Sequence, residues 1–292
     1  MSNKKSFTGQ LLLNISFIII CSLIIIPFLL VVAVSFSNET DVAKYGYKLI
    51  PKNFTLDAYK YVFSNPTTII DAYKVTIVFS VLGTFISVLL TAMVAYPLSQ
   101  KVLRCRKQIS FYLYFTCLFS GGLVPTYLLN TKYLHLDDTI WVYILPTCVS
   151  AFFVFMMRTF FSEIPNEIIE SVFIDGSNDY VIFFKFILPL SKPVLATVAL
   201  MTFLAKWNDW NTSLLYIDEQ RLISLQYLLQ RILNNIELMQ DPDRMLSGRI
   251  VEIPAETVRN AMAIVVAGPA LVVFPFFQKY FVKGLTVGSV KG

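Results

Sequence analysis

The sequence predicts an all-α polytopic membrane protein with six transmembrane helices and both termini in the cytoplasm. Three observations carry that expectation. Of 292 residues 56% are hydrophobic and only 15% charged, and the mean hydropathy of +0.64 lies far above soluble norms. The apolar residues are gathered into long runs instead of recurring at a period of 2 or 3.6. Basic residues collect in the short 99–108 loop between two of those runs, as they do on the cytoplasmic side of a bilayer. The four lysines of 37–68 are spread over a longer segment.

The first run, residues 11–36, follows "MSNKK" and exceeds twenty residues. A signal peptide has a shorter apolar region, so the run reads as an uncleaved helix able to cross about 30 Å of hydrocarbon. Further spans are expected at 75–98, 109–129, 140–161, 187–204 and 261–282. Their internal prolines (Pro27, Pro125, Pro146, Pro269, Pro275) suit membrane helices, where neighbours re-satisfy the freed carbonyls. The fifth span starts weakly, because Pro189 and Pro193 interrupt it.

Orientation rests on the 99–108 loop, "SQKVLRCRKQ", which holds Lys101, Arg104, Arg106 and Lys107 and no acid. The positive-inside rule places it in the cytoplasm, with residues 1–10 and the 283–292 tail. The 37–68 and 208–257 segments then become extracytoplasmic loops, and 69–282 forms a core of five spans. Within 208–257, Leu222, Leu225, Leu228, Leu229 and Ile232 share one helical face, which either rests on the bundle rim or receives an external partner. Cys21, Cys105, Cys117 and Cys148 have neither disulfide nor metal-ligand spacing, and the net charge of +5 is spread over loops, so it speaks to orientation and not to nucleic acid.

Between spans four and five lies "IPNEIIESVFIDGSNDYVIFFKFILPLSKP". Its acids, Glu163, Glu167, Glu170, Asp175 and Asp179, stand without a nearby cation. Pro165 and Glu167 open a short helix, Ile168, Ile169, Val172 and Phe173 make an apolar ridge, and Asp175-Gly176 ends it where positive φ is needed. Ser177 or Asn178 then caps a second helix. A solvated loop needs none of this, so the segment reads as a rigid knob for a groove on another protein.

The same residues resemble the EAA loop of ABC-importer permeases: Glu170, Gly176, Leu188 and Pro189 stand at its spacing, Ser171 and Val172 replace its alanines, and Phe186 replaces its isoleucine. "KWNDW" at 206–210, the stretch from "IPAETVRN" to the C-terminus, and "FSGGLVPTYLL" at 119–129 are similar to the carbohydrate-importer branch, the last to Gram-positive importers of oligosaccharides such as aldouronates. The resemblance implies a type I importer permease fold, in a bacterial plasma membrane, with 162–189 as the coupling loop. It implies that Glu167, Ile168, Ile169, Glu170, Val172, Phe173, Asp175 and Gly176 engage a separate ATPase, with Lys291 and Gly292 of the tail as further contacts. Implied partners are a second related permease subunit, two ATPase subunits that use ATP and Mg, a sugar-binding lipoprotein outside, and an oligosaccharide. Tyr127, Trp207, Asn208 and Trp210 are candidates for the sugar path, since aromatic faces and amides grip sugars.

The chain itself has no G-x-x-x-x-G-K-[ST], so ATP binding through a P-loop falls to another polypeptide, and no cofactor is expected here. An ion-coupled secondary transporter is the alternative, but it calls for charges deep in the spans, whereas Lys74, Lys206 and Asp209 sit near span ends. A membrane enzyme is a weaker rival, resting on His135, Asp137 and Asp138 in "HLDD", where helix capping is the plainer reading.

Overall fold

The computed structural model describes residues 7–174, 176–239 and 255–288. In chain order the α-helices are α1 (Phe7–Ser35), α2 (Glu39–Tyr45), α3 (Asp57–Val62), α4 (Pro66–Ser99), α5 (Arg106–Leu118), α6 (Leu123–Leu128), α7 (Ala151–Ser162), α8 (Asn166–Ile174), α9 (Asp179–Val181), α10 (Leu188–Leu190), α11 (Lys192–Trp207), α12 (Asn211–Tyr216), α13 (Leu225–Met239) and α14 (Ala255–Gly288). Among the described residues there is no strand, only an isolated bridge between Ser37 and Phe54.

Three helices are long and apolar enough to cross a membrane unbroken: α1, α4 and α14. Two expected spans are bent. The third is α5 followed by 123–133 at 113°, and the fifth is 179–190 followed by α11 at 80°. Each bend has a local cause. Gly122 holds φ +87° between α5 and α6 and would meet nothing if it carried a Cβ, so its conformation matters more than close packing. At the other bend, Pro189 and Pro193 supply no N–H on either side of Ser191. The fourth expected span, 140–161, is a 3-10 turn (Ile140–Tyr143), a non-helical stretch at 144–150, and then the twelve-residue α7. Pro146 falls in that gap, so the apolar run is real but its helix is short.

The described chain divides into two compact units. One comprises residues up to 66 together with 229–268. In it most of α1 presents Leu, Ile and Phe outward, as a helix bathed in lipid does. The loop after α1 is held by Phe36, stacked on Phe54 and Tyr59, and by Asn38, which caps α2 at Thr40 N. Glu39 reaches a helix 217 residues away in sequence: its carboxylate accepts from Glu256 N (3.0 Å), Thr257 N (2.9 Å) and the Thr257 hydroxyl (2.7 Å), capping α14. Tyr47 donates to Glu256 at 2.6 Å. That bond, followed by partial burial, raises the Tyr47 pKa above its ordinary value of 10.0, because ionisation would set two anions side by side.

The other unit comprises 67–228 and residues from 269 onward. Its apolar core gathers Ala92, Ala95, Tyr96 and Leu98 of α4, Val154, Met157 and Phe161 of α7, Val172 of α8, Ile182, Phe183 and Ile187, and Val194 and Val198 of α11. The expected apolar face of 222–232 is covered by the chain itself where α13 begins, since Leu225 and Leu228 are buried and Leu225 N donates to Thr76 of α4 at 2.8 Å.

Candidate functional site: a knob between two spans

The segment after α7 forms the compact knob that its residues call for. Pro165 immediately precedes α8, and Glu167 lies in the first turn, where a carboxylate complements the helix dipole. The C-terminal end is a Schellman motif: Gly176 N donates to Phe173 O (3.0 Å), Ser177 N donates to Val172 O (3.3 Å), and Gly176 sits at φ +80°. Of the two residues expected to cap the next helix, Asn178 does so, accepting from Val181 N at 2.9 Å. The chain re-enters through a π-helical stretch (Ile182–Ile187) whose Ile182, Phe183 and Ile187 are buried in the core.

The apolar ridge is divided between two surfaces. Val172, 9% exposed, belongs to the core of its own unit, and Ile169 packs against that core. Phe173 and Ile174 point the other way, 64% and 83% exposed, and Tyr180 is exposed beyond the glycine turn. Glu167 and Glu170 are exposed as well. The knob is thus bolted from within by Val172 and Ile169 and offers Phe173 and Ile174 outward, flanked by acids. The outward-facing residues differ from the sequence-based set, which included Ile169 and Val172 and did not name Ile174 or Tyr180. Asp175, the side chain of Ile168, and Lys291 and Gly292 lie outside the described residues.

The sugar-path candidates do not form one cluster. Trp207 is 2% exposed and stacks on Phe203 at 5.7 Å, so it packs within its unit. Asn208 ends α11, its amide donating to Leu204 O at 2.8 Å. Trp210 is exposed beside α12. Tyr127 stacks on Tyr216 at 5.5 Å, and Asn130 donates to the Tyr216 hydroxyl at 3.2 Å, which joins two aromatic faces and an amide. Tyr216 was missed because it lies 89 positions from Tyr127 with no motif to pair them.

In "HLDD", Asp138 Oδ1 accepts from Asp218 N (2.7 Å) and Glu219 N (2.8 Å). His135 and Asp138 both hold φ 49°. The expected helix cap is not what forms: the 3-10 turn that follows starts at Thr139 without a side-chain cap bond, and Asp138 instead pins a turn against the backbone of 218–219. Beside them Tyr143 stacks on Phe79 at 4.3 Å and bonds Ser213 Oγ (2.5 Å) and Leu222 O (2.9 Å), while Ser224 links Ser213 to Asp209 O.

Comparison with known proteins identifies the group to which this geometry belongs. No family model matches the chain. Among curated proteins it is 41% identical over 277 residues to the polygalacturonan/rhamnogalacturonan transport system permease protein YtcP of Bacillus subtilis, covering 94% of each chain. It is 31% identical over 301 residues to the arabinooligosaccharides transport system permease protein AraQ of Halalkalibacterium halodurans, covering 100% of each. Among solved structures, a chain of a bacterial ABC transporter that imports the acidic polysaccharide alginate superposes with a TM-score of 0.81 at 25% identity, over 96% of this chain and 99% of that one. Such subunits are non-catalytic, and ATP is hydrolysed by a separate ATPase. A chain of broken, apolar helices with a capped knob between two of them, matched over nearly its whole length, belongs to the permease subunits of sugar-importing ABC transporters.

Proposed function

We propose that this chain forms half of the translocation path of an oligosaccharide importer and couples to its ATPase through α8 and the turn that follows. It pairs with a second, related permease subunit, crosses the membrane six times and keeps both termini in the cytoplasm. Two ATPase subunits receive the knobs of the two permeases, and a lipoprotein delivers sugar from outside. The observation that carries this reading is the exposure of Phe173 and Ile174 at the end of a helix that closes in a Schellman turn and is followed at once by the capped start of the next helix. An exposed apolar pair on a rigid base is a docking surface, and a rigid base transmits rigid-body motion.

The substrate class follows from the relatives' names. Polygalacturonan, rhamnogalacturonan and alginate are acidic polysaccharides, which favours an oligosaccharide rich in uronic acid, in a Gram-positive cell envelope like that of Bacillus. Tyr127 and Tyr216, with Asn130, are the aromatic and amide set best suited to a sugar ring.

The test uses the complete transporter in liposomes with oligogalacturonides, arabino-oligosaccharides and maltotriose as probes. Glu170→Lys and Gly176→Pro should insert normally yet lose sugar-stimulated ATP hydrolysis. Proline cannot adopt φ +80° or donate the bond to Phe173 O, so it dismantles the turn. Normal stimulated hydrolysis in both variants would reject the coupling role, and uptake of maltotriose alone would reject the acidic substrate.

A further inference from the structure

Lys206 stands near the end of α11 and reads in the sequence as an ordinary interfacial lysine. In the structure it keeps that position but is only 5% exposed in its own unit. Its Nζ donates to Tyr143 O at 2.8 Å and to Thr147 Oγ1 at 3.0 Å. No carboxylate among the described residues lies within salt-bridge distance of it. The acid nearest in sequence, Asp209, is occupied with Thr212 N (3.0 Å) and the Thr212 hydroxyl (2.6 Å). The aliphatic stem lies on α4 at Gly83, where a Cβ would come within 2.8 Å of Lys206 Cε and 2.9 Å of Cδ. A Cβ there would force the end of the lysine side chain to shift.

Burying an ammonium with no carboxylate in direct ion-pair contact is costly, and an unbranched apolar side chain would fill the same space without that cost. What lysine adds is a donor for the open backbone of span four. Tyr143 closes the 3-10 turn, and helix does not resume until Ala151, so carbonyls there lack the partners that an unbroken helix would supply. Near α8, α7 and α11 are joined by apolar packing through Val154, Met157 and Phe161 on one side and Val194 and Val198 on the other. At the far end span four is irregular, and Lys206 ties it to α11.

We propose that Lys206 is a positioning residue for coupling: it fastens the far ends of spans four and five, so that α7, the knob and α11 turn as one lever. The proposal rests on the permease reading above. With Lys206 in place, motion imposed at α8 reaches both far ends together. Without it, span four flexes in the 144–150 segment and the motion dissipates.

The experiment places spin labels at Leu145 and Met201, both exposed, in the complete transporter with its native cysteines replaced. Distances are measured with and without ATP and vanadate. The intact lever gives one narrow distance in both states. Lys206→Met, which keeps the space over Gly83 filled, should broaden it and raise ATP hydrolysed per oligogalacturonide imported by about threefold. Gly83→Ala should do the same while Lys206 is present and add nothing in a Lys206→Ala background. A narrow, unchanged distance with an unchanged ratio in Lys206→Met would overturn the proposal. So would a fall in hydrolysis and import strictly in step with the amount of assembled complex, since that marks a role in folding alone. A transporter that fails to respond to ATP even with Lys206 intact would instead reject the permease reading.

Discussion

The two ends of the 67–228 unit are held together by different physics. At the α8 end, Tyr96, Phe161, Val172, Ile182 and Phe183 belong to one apolar cluster, and the acids Glu167 and Glu170 of α8 stay outside it. At the far end, Tyr143, Ser213, Ser224 and Lys206 form a buried polar network that links segments up to 79 residues apart in sequence. Apolar packing is non-directional and tolerates small slides, whereas hydrogen bonds in a poorly hydrated site fix one arrangement. The contrast suits an element that receives force at one end and must hold a defined geometry at the other.

The largest expected effect separates the two surfaces of the knob. Phe173→Asp should leave the protein inserted and abolish import, because a charge replaces an exposed apolar group of the proposed docking surface. Val172→Asp should reduce the amount of folded protein instead, since it places a charge in the core. Protein level and import measured on the same membranes distinguish the two outcomes, and equal levels for both variants would contradict the inward placement of Val172. A smaller effect is expected at the far end, where Tyr143→Phe removes the bonds to Ser213 Oγ and the Leu222 carbonyl. Because Ser213 keeps its bonds with Ser224, the change should lower stability by about 1 kcal/mol, read as a fall in melting temperature. The smallest change lies in the other unit. The tyrosinate difference spectrum between the native chain and Tyr47→Phe should show a midpoint above pH 10, so the Tyr47–Glu256 contact persists below pH 10 and is lost only as pH rises through that midpoint. A midpoint at or below 10 would mean that the bond is not made in solution.

The same contrast explains what could be read in advance. Pro165, Gly176 and Asn178 act within a few residues of themselves, so the start, stop and recap of the knob are legible from spacing. The division of its ridge is not, because whether Val172 or Phe173 faces inward depends on α4, α7 and the 182–187 stretch. Apolar length marked all six expected spans, yet Gly122 and the proline pair around Ser191 bend two of them, and 144–150 interrupts another. Lys206 does lie near the end of its span, as expected, but its burial was not legible for a related reason. Its position near a span end says nothing of Gly83, 123 residues earlier, whose missing side chain makes space for it. The pairing of Tyr127 with Tyr216 and the grip of Glu39 on α14 are equally non-local.

Cysteine cross-linking from the knob tests the central claim most directly. In a transporter freed of its native cysteines, single cysteines at 172, 173 and 174 would be treated with a short bifunctional reagent. The account predicts a cross-link to the ATPase subunit from 173 and 174 and none from 172. Cross-linking from 172 as readily as from 173, or from none of the three in a transporter that still imports sugar, would contradict it.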